Sequence, residues 1–374
     1  MQRLNVKSKA GDYEVIVGRG AWKTMGSFPA DPYSSIFVLT EERIWKHWRR
    51  KFLGDTRLKR QQTLFVLPGE KSKELPVLAR LASELLDCGA DRGSLLILLG
   101  GGVVGDLGGF LASSYMRGID YINCPTTVLS QVDSAIGGKT AVNLGKAKNL
   151  LGSFYPPRRV LADSQVLTSL SPRDLRSGLY EVVKHAILDG PGLFSQIERS
   201  VEKMNPQSIE EFEPLFVRAA KVKVDVVNKD EREKELRFVL NLGHTFGHAL
   251  EEATGYRRFL HGEAVAWGIL GVTRLAERLG AVDRDSAARI RNLILQLGRL
   301  PSLAQIDPSV VIGLLSKDKK AIGGQIHWVI PERVGKVRVT TDVPLSMAAA
   351  ALRDVMAESP RFSGALHGKR WGVD

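Results

Sequence analysis

Residues 95–118, "LLILLGGGVVGDLGGFLASSYMRG", run from an unbroken apolar stretch through Gly100, Gly101, Gly102 and Gly105 into a helical period. A strand that is apolar at every position has both faces covered, as in a buried parallel sheet. Glycines at the turn let backbone N–H groups approach a diphosphate at the helix N-terminus; they would equally serve close packing of helix on strand. The spacing departs from G-x-G-x-x-G, so it is not the usual dinucleotide fingerprint.

On either side, "YEVIVG", "SIFVLT", "TLFVLP" and "IDYINCP" read as further strands. Between them lie helices, most clearly over 74–88, where Leu78, Leu81, Ala82 and Leu85 keep helical spacing and Gly89 supplies the stop. Alternation of this kind predicts a Rossmann-like α/β domain over 1–170. Beyond "SLSPRDL" the pattern changes to long helical periods over 174–188, 208–228, 241–253, 261–279 and 284–298, with one hairpin at "QIHWVIPERVGKVRVT". A mostly α-helical domain is therefore expected over 171–374. The tail "ESPRFSGALHGKRWGVD" has no periodicity and is expected to be extended or disordered.

With 374 residues, 44% hydrophobic and 25% charged, the chain can bury ordinary cores, which excludes disordered and fibrous classes. No apolar run is long enough to span a membrane and the N-terminus has no secretory pattern, so a soluble, cytoplasmic protein is expected. Cys88 and Cys124 lie in apolar contexts without C-x-x-C spacing, arguing against a disulfide framework or a thiolate zinc site. The charge of +12 and seven basic residues in "KHWRRKFLGDTRLKR" (46–60) raise nucleic acid as a partner. A helix with a solvated basic face gives the same pattern, and no nucleic-acid partner is expected.

The segment 125–152, "PTTVLSQVDSAIGGKTAVNLGKAKNLLG", gathers Thr126, Thr127, Asp133, Lys139, Lys148 and Asn149 within a glycine-broken stretch too polar for a core element. Hydroxyls and ammonium groups at glycine turns make an anion cradle. "NLGHTFGHAL" (241–250) sets His244 and His248 four apart, on one face of a helix, and "LHGEAV" adds His261. Gly243 and Gly247 there each cost a helix about 1 kcal/mol relative to alanine, which fold stability alone would not favour. An ion held by imidazoles and open to substrate also needs a carboxylate, and "GLYEVVKHAILDG" offers Glu181, one turn before Lys184. Spacing does not choose among His185, His244, His248 and His261 as its partners.

Taken together, "PGEKSK", "GGGVVGD", "YMRG", "PTTVLSQVDSAIGGKTAVN", "GKAKNLLGSFYPP", "RSGLYEVVKHAILD", "LRFVLNLGHTFGHALE" and "HGEAVAWG" resemble the 3-dehydroquinate synthases, within the sugar phosphate cyclases. The motifs span about residues 68–268 in the family's order. The resemblance implies NAD bound in 1–170, a divalent metal (zinc, or cobalt) in 171–374, and substrate in the cleft between. It implies metal ligands Glu181, His244 and His261, with His248 behind them or on the substrate phosphate. Cofactor contacts would be Glu70, Lys73, Gly102, Val103, Val104, Gly105, Asp106, Thr126, Thr127, Asp133, Lys139, Lys148 and Thr168. Substrate contacts would be Lys139, Asn149, Lys184, Lys223, Arg237, Asn241 and His248, with Arg117 reaching in from the partner of a homodimer. One lysine of "KDKKAIGG", Lys319 or Lys320, would join them. Two points depart from the family pattern: Glu41 stands where several relatives have Asp near the adenosine ribose, and the tail matches no motif.

The implied substrate is 3-deoxy-D-arabino-heptulosonate 7-phosphate, a sugar acid phosphate of the shikimate pathway that feeds chorismate and the aromatic amino acids. The implied course is transient oxidation by NAD, loss of phosphate, re-reduction and internal aldol closure, with Lys223 and Arg237 clamping the substrate carboxylate. The competing readings are another sugar phosphate cyclase, a metal-dependent polyol dehydrogenase, which would release NADH, and a binding protein without activity.

Overall fold

The structure is a computed structural model and describes residues 1–27, 33–58, 61–145, 147–321 and 325–363, the side chains of 316–321, 361 and 363 excepted. Lys319 and Lys320 therefore lie outside the described side chains. In chain order the first elements are β1 (Gln2–Val6), β2 (Tyr13–Val17), β3 (Ile36–Glu41), α1 (Glu42–Thr56), β4 (Gln62–Val66) and α2 (Leu75–Asp87). Next come β5 (Leu95–Gly100), α3 (Gly102–Ser114), β6 (Asp120–Pro125), β7 (Lys139–Leu144), β8 (Ala147–Phe154) and β9 (Arg159–Ala162). The later helices are α4 (Pro172–Asp189), α5 (Pro191–Ser200), α6 (Glu213–Lys229), α7 (His244–Ala253), α8 (His261–Arg278), α9 (Arg284–Gln296) and α10 (Pro308–Ala321). The hairpin β10 (Trp328–Arg333) and β11 (Lys336–Thr340) precedes α11 (Leu345–Ser363).

The chain forms two compact units, Met1–Leu170 with Ile209–Arg232, and Ser171–Ser208 with the residues from Glu233 onward. In the first, a seven-stranded sheet runs β1-β2-β9-β6-β5-β3-β4, parallel throughout except for β1 against β2. Every residue of β5 is buried, as its unbroken apolar run requires. Helix α3 lies close against it: a Cβ on Gly108 would stand 2.3 Å from Leu98 Cδ2. At the sheet's centre the chain passes from β3 outward to β4 and from β5 the other way to β6. Open α/β sheets bind ligands at such a reversal, here at the carboxyl ends of β3 and β5, where Glu41 and Gly100 lie.

Two sequence expectations need correction here. Helix α6, expected among the helices of 171–374, belongs to the first unit, because its stripe Ala220, Val224 and Val227 is buried with Val15 and Val17 of β2 and Val160 and Ala162 of β9. Part of 125–152, expected to be too polar for a core element, pairs as the antiparallel hairpin β7–β8, with Val142 in the core.

In the second unit α8 is central, buried from Gly262 to Gly268 and beyond, and in contact with α4, α7, α9 and α11. The glycines of "GHTFGH" have a packing reason that sequence did not supply. Gly243 adopts φ +81°, and a Cβ on Gly268 of α8 would fall 1.8 Å from its carbonyl oxygen, so α7 and α8 meet backbone to backbone. A Cβ on Gly247 would come 3.0 Å from Ala264 O. The tail is also corrected in part: Glu358 to Ser363 continue α11, where Glu358 pairs with Arg274 and Phe362 packs on Trp267 at 5.9 Å between ring centroids. Residues 364–374 are outside the described part. Among the described residues, no helix is long and apolar enough to cross a membrane.

Candidate active site

Three helices of the second unit bring the ionisable groups together. Glu181 lies in mid-α4 and is fully buried; His244 and His261 are the first residues of α7 and α8. Because α7 and α8 pack closely, those two helix starts face the same carboxylate. Glu181 Oε1 is 3.8 Å from His244 Nε2 and 3.6 Å from His261 Nε2, and Oε2 is 2.6 Å from Lys184 Nζ. The other ring nitrogens face acceptors: His244 Nδ1 stands 3.3 Å from Leu242 O, and His261 Nδ1 stands 3.3 Å from Glu251 Oε2. A carbonyl or carboxylate oxygen only accepts, so a hydrogen bond there needs the proton on Nδ1 and leaves Nε2 as the electron-pair donor.

These separations suit a small divalent cation. Donors held about 2.1 Å from a tetrahedral zinc lie about 3.4 Å apart, close to the two separations from Glu181 Oε1. His248 is exposed, and one of its ring nitrogens lies within 4.8 Å of those of His244 and His261. His185 is fully buried on α4. The start of α8 is clamped from outside: Arg173 Nε and Nη2 donate to Glu263 at 2.7 and 2.8 Å, and Glu263 Oε2 accepts the Leu260 N–H at 2.8 Å. Arg237 is buried in the helical turn Leu236–Asn241, whose Asn241 side chain donates to Glu233 at 3.1 Å.

A buried carboxylate and ammonium are poor fold stabilisers, since desolvation costs several kcal/mol per ion and apolar residues of the same volume often do as well. Glu181 and Lys184 are thus better explained by chemistry than by stability. Sequence reasoning missed Glu251, Glu263 and Arg173. The available signal was Glu251 itself, an ionisable residue on the buried side of α7, seven residues after His244 and so on the same face.

In the first unit, the residues expected at the cofactor follow the carboxyl ends of the parallel strands. Glu70 and Lys73 follow β4, Gly102 to Asp106 follow β5, Thr126 and Thr127 follow β6, and Thr168 follows β9. Helix α3 has Gly101 at its N-cap, so no capping side chain satisfies its first N–H groups. Val104 is a core side chain, so it has only its N–H to offer. Lys73 is nearly buried and donates to Asp106 at 2.7 Å and Asn149 at 2.5 Å, with Glu70 at 3.6 Å. Burial alone would depress its ammonium, but Asp106 and Glu70 outweigh it and the pKa rises. Asn143 joins the loops further, donating to Glu70 Oε1 at 3.0 Å and accepting the Asn149 N–H at 2.9 Å. Asn149 itself is held at φ +54°. Lys223 of α6 donates to Asp133, Lys139 is exposed at the start of β7, and Lys148 is half-buried on β8. Arg117 is exposed on a turn where Met116 (φ +51°) and Arg117 (φ +69°) both take the left-handed conformation.

Comparison with known proteins gives the family of the chain. Residues 63–177 match the family described as 3-dehydroquinate synthase N-terminal, and residues 178–321 the one described as 3-dehydroquinate synthase C-terminal. The 3-dehydroquinate synthase of Solibacter usitatus is 39% identical over 345 residues, covering 92% of this chain and 97% of that protein. Among solved structures, the 2-epi-5-epi-valiolone synthase of Streptomyces hygroscopicus with NAD+ and Zn2+ bound has a TM-score of 0.83 at 25% identity, covering 96% of this chain and all of that one. A 2-deoxy-scyllo-inosose synthase complexed with carbaglucose-6-phosphate, NAD+ and Co2+ has a TM-score of 0.84 at 24% identity, covering 94% and 99%. With both halves matched and more than a third of positions shared along most of its length, the chain belongs to the 3-dehydroquinate synthase family.

Proposed function

We propose that this chain converts 3-deoxy-D-arabino-heptulosonate 7-phosphate into 3-dehydroquinate and phosphate, using NAD and one divalent ion, zinc or cobalt. The observation that carries the reading is the meeting of Glu181, His244 and His261 with both Nδ1 atoms turned to acceptors and both Nε2 atoms turned to one oxygen. When bound, the ion acidifies a substrate hydroxyl and NAD takes up and returns a hydride.

The side chains bind and orient. Glu181, His244 and His261 hold the ion, and the bound NAD+ and Zn2+ of the valiolone synthase support both groups. The uncapped N-terminus of α3 receives the diphosphate, while the Lys73–Asp106–Glu70 cluster fixes the loops around it. Buried Arg237 reads the substrate carboxylate, a pairing that low exposure protects from salt. Lys184 and exposed His248 hold charge at the phosphate and hydroxyl groups. Positioning of this kind, which turns bimolecular encounters into internal ones, can supply several kcal/mol of the barrier reduction.

Another sugar phosphate cyclase is the alternative, and identity weighs against it: 39% to a dehydroquinate synthase against 24–25% to the two sister cyclases. The purified protein, given the heptulosonate phosphate with substoichiometric NAD and zinc, is expected to release phosphate and dehydroquinate one to one, without accumulating NADH. NADH build-up without phosphate would make it a dehydrogenase instead.

A further inference from the structure

We infer that Glu251 is a positioning residue for the ion, its carboxylate holding the proton of His261 on Nδ1 and so aiming the Nε2 electron pair at the Glu181 centre. The inference rests on reading Glu181, His244 and His261 as ligands and extends it outward by one residue.

Glu251 and His244 lie seven residues apart on one face of α7, and both reach toward His261, which comes from α8. Helix α7 thus supplies one ligand directly and steadies the other. Glu251 is only 3% exposed, so its carboxylate has given up most of its water, a cost that an apolar side chain there would not carry. What it faces is the imidazole nitrogen turned away from Glu181, at 3.3 Å, while the opposite nitrogen lies 3.6 Å from Glu181 Oε1.

The two histidines are supported unequally. His244 Nδ1 meets a neutral backbone carbonyl, whereas His261 Nδ1 meets a carboxylate. An anionic acceptor makes the imidazole a stronger donor through Nε2 and adds negative charge close to a dication. His261 is also the more exposed ligand, 33% against 12% for His244, so its ring needs more restraint to hold one orientation.

The test uses the full-length protein, stripped of metal, in wild-type, Glu251→Gln, Glu251→Ala and His261→Ala forms. Zinc dissociation constants come from competition with a chromophoric chelator, and the cobalt-loaded forms give visible spectra. The Gln form keeps an acceptor oxygen and the shape but loses the charge, so about tenfold weaker binding is expected; the Ala form should lose about 100-fold, with an altered cobalt spectrum. Graded loss with partial rescue by Gln, at unchanged metal-free melting temperature, is something that packing alone would not produce. Should the Ala form fail to fold, the near-isosteric Gln form decides. Wild-type affinity in both Glu251 variants, with His261→Ala defective, overturns the inference and leaves the ligand set standing. Wild-type affinity in His261→Ala overturns both.

Discussion

Each oxygen of Glu181 has its own partner: Oε2 meets the Lys184 ammonium and Oε1 meets two imidazoles. A fully buried carboxylate is tolerable only when so surrounded. Arg237 is a second buried ion, proposed to read the carboxylate of the substrate. Changing Arg237 to Ala is expected to raise KM for the natural substrate about 100-fold, the worth of a bidentate charged pair near 3 kcal/mol, and to leave an analogue lacking the carboxylate nearly unaffected. Steady-state kinetics on both compounds checks this, and equal losses would contradict the assignment. At this scale the sequence was informative about residue types and silent about company. Glu181 and Lys184 stand out as ions in an apolar helix. The i, i+4 spacing of His244 and His248 concerns one helix only, whereas His261 arrives from another, and no spacing rule reports that. Glu251 shared a helix face with His244 by spacing, but its significance lies in the ring it touches, which comes from another helix.

Helices and strands were mostly legible, because β5 and α8 carry apolar patterns that secondary structure alone explains. Assigning α6 was not possible from its own stripe, which says that one face is covered and not by what. The structure shows how it is attached: Glu213, in its first turn, accepts from the Arg19 N–H at 2.6 Å, the Ser164 hydroxyl at 2.7 Å and the N-terminal amino group at 3.1 Å. Burial alone would raise the Glu213 pKa, but the Ser164, Arg19 and N-terminal contacts outweigh it and leave the group below its usual 4.5. A lowered carboxylate stabilises the fold above its unfolded pKa and loses that contribution as pH falls through the folded value. Glu213→Gln is therefore expected to cost about 1–2 kcal/mol at neutral pH and to flatten the decline in stability below pH 4.5. Urea unfolding at a series of pH values reads both effects, and parallel wild-type and variant curves would exclude the role.

For the molecule as a whole, fold is far more widely shared than sequence. A TM-score of 0.83 at 25% identity shows how many substitutions the architecture absorbs, and why site residues rather than fold must separate one cyclase from another. The homodimer that the sequence motifs lead one to expect bears on this through Arg117, exposed on its left-handed turn. If Arg117 serves the neighbouring subunit, mixing Arg117→Ala with His244→Ala subunits, each inactive alone, should restore about one active site in four, because random pairing gives half hybrids with one intact site each. Differently tagged, co-purified hybrids assayed for phosphate release test it, and inactive hybrids would place Arg117 in its own subunit's site.

The route of the chain through its two units has a consequence for how the protein is made. The first unit is interrupted at Leu170 and resumes at Ile209, so its sheet lacks the covering helix α6 until Arg232 has been synthesised. A nascent chain released or stalled between those points would expose the valines of β2 and β9, and cutting the gene at residue 170 would yield a fragment that sticks to itself rather than a working nucleotide-binding half.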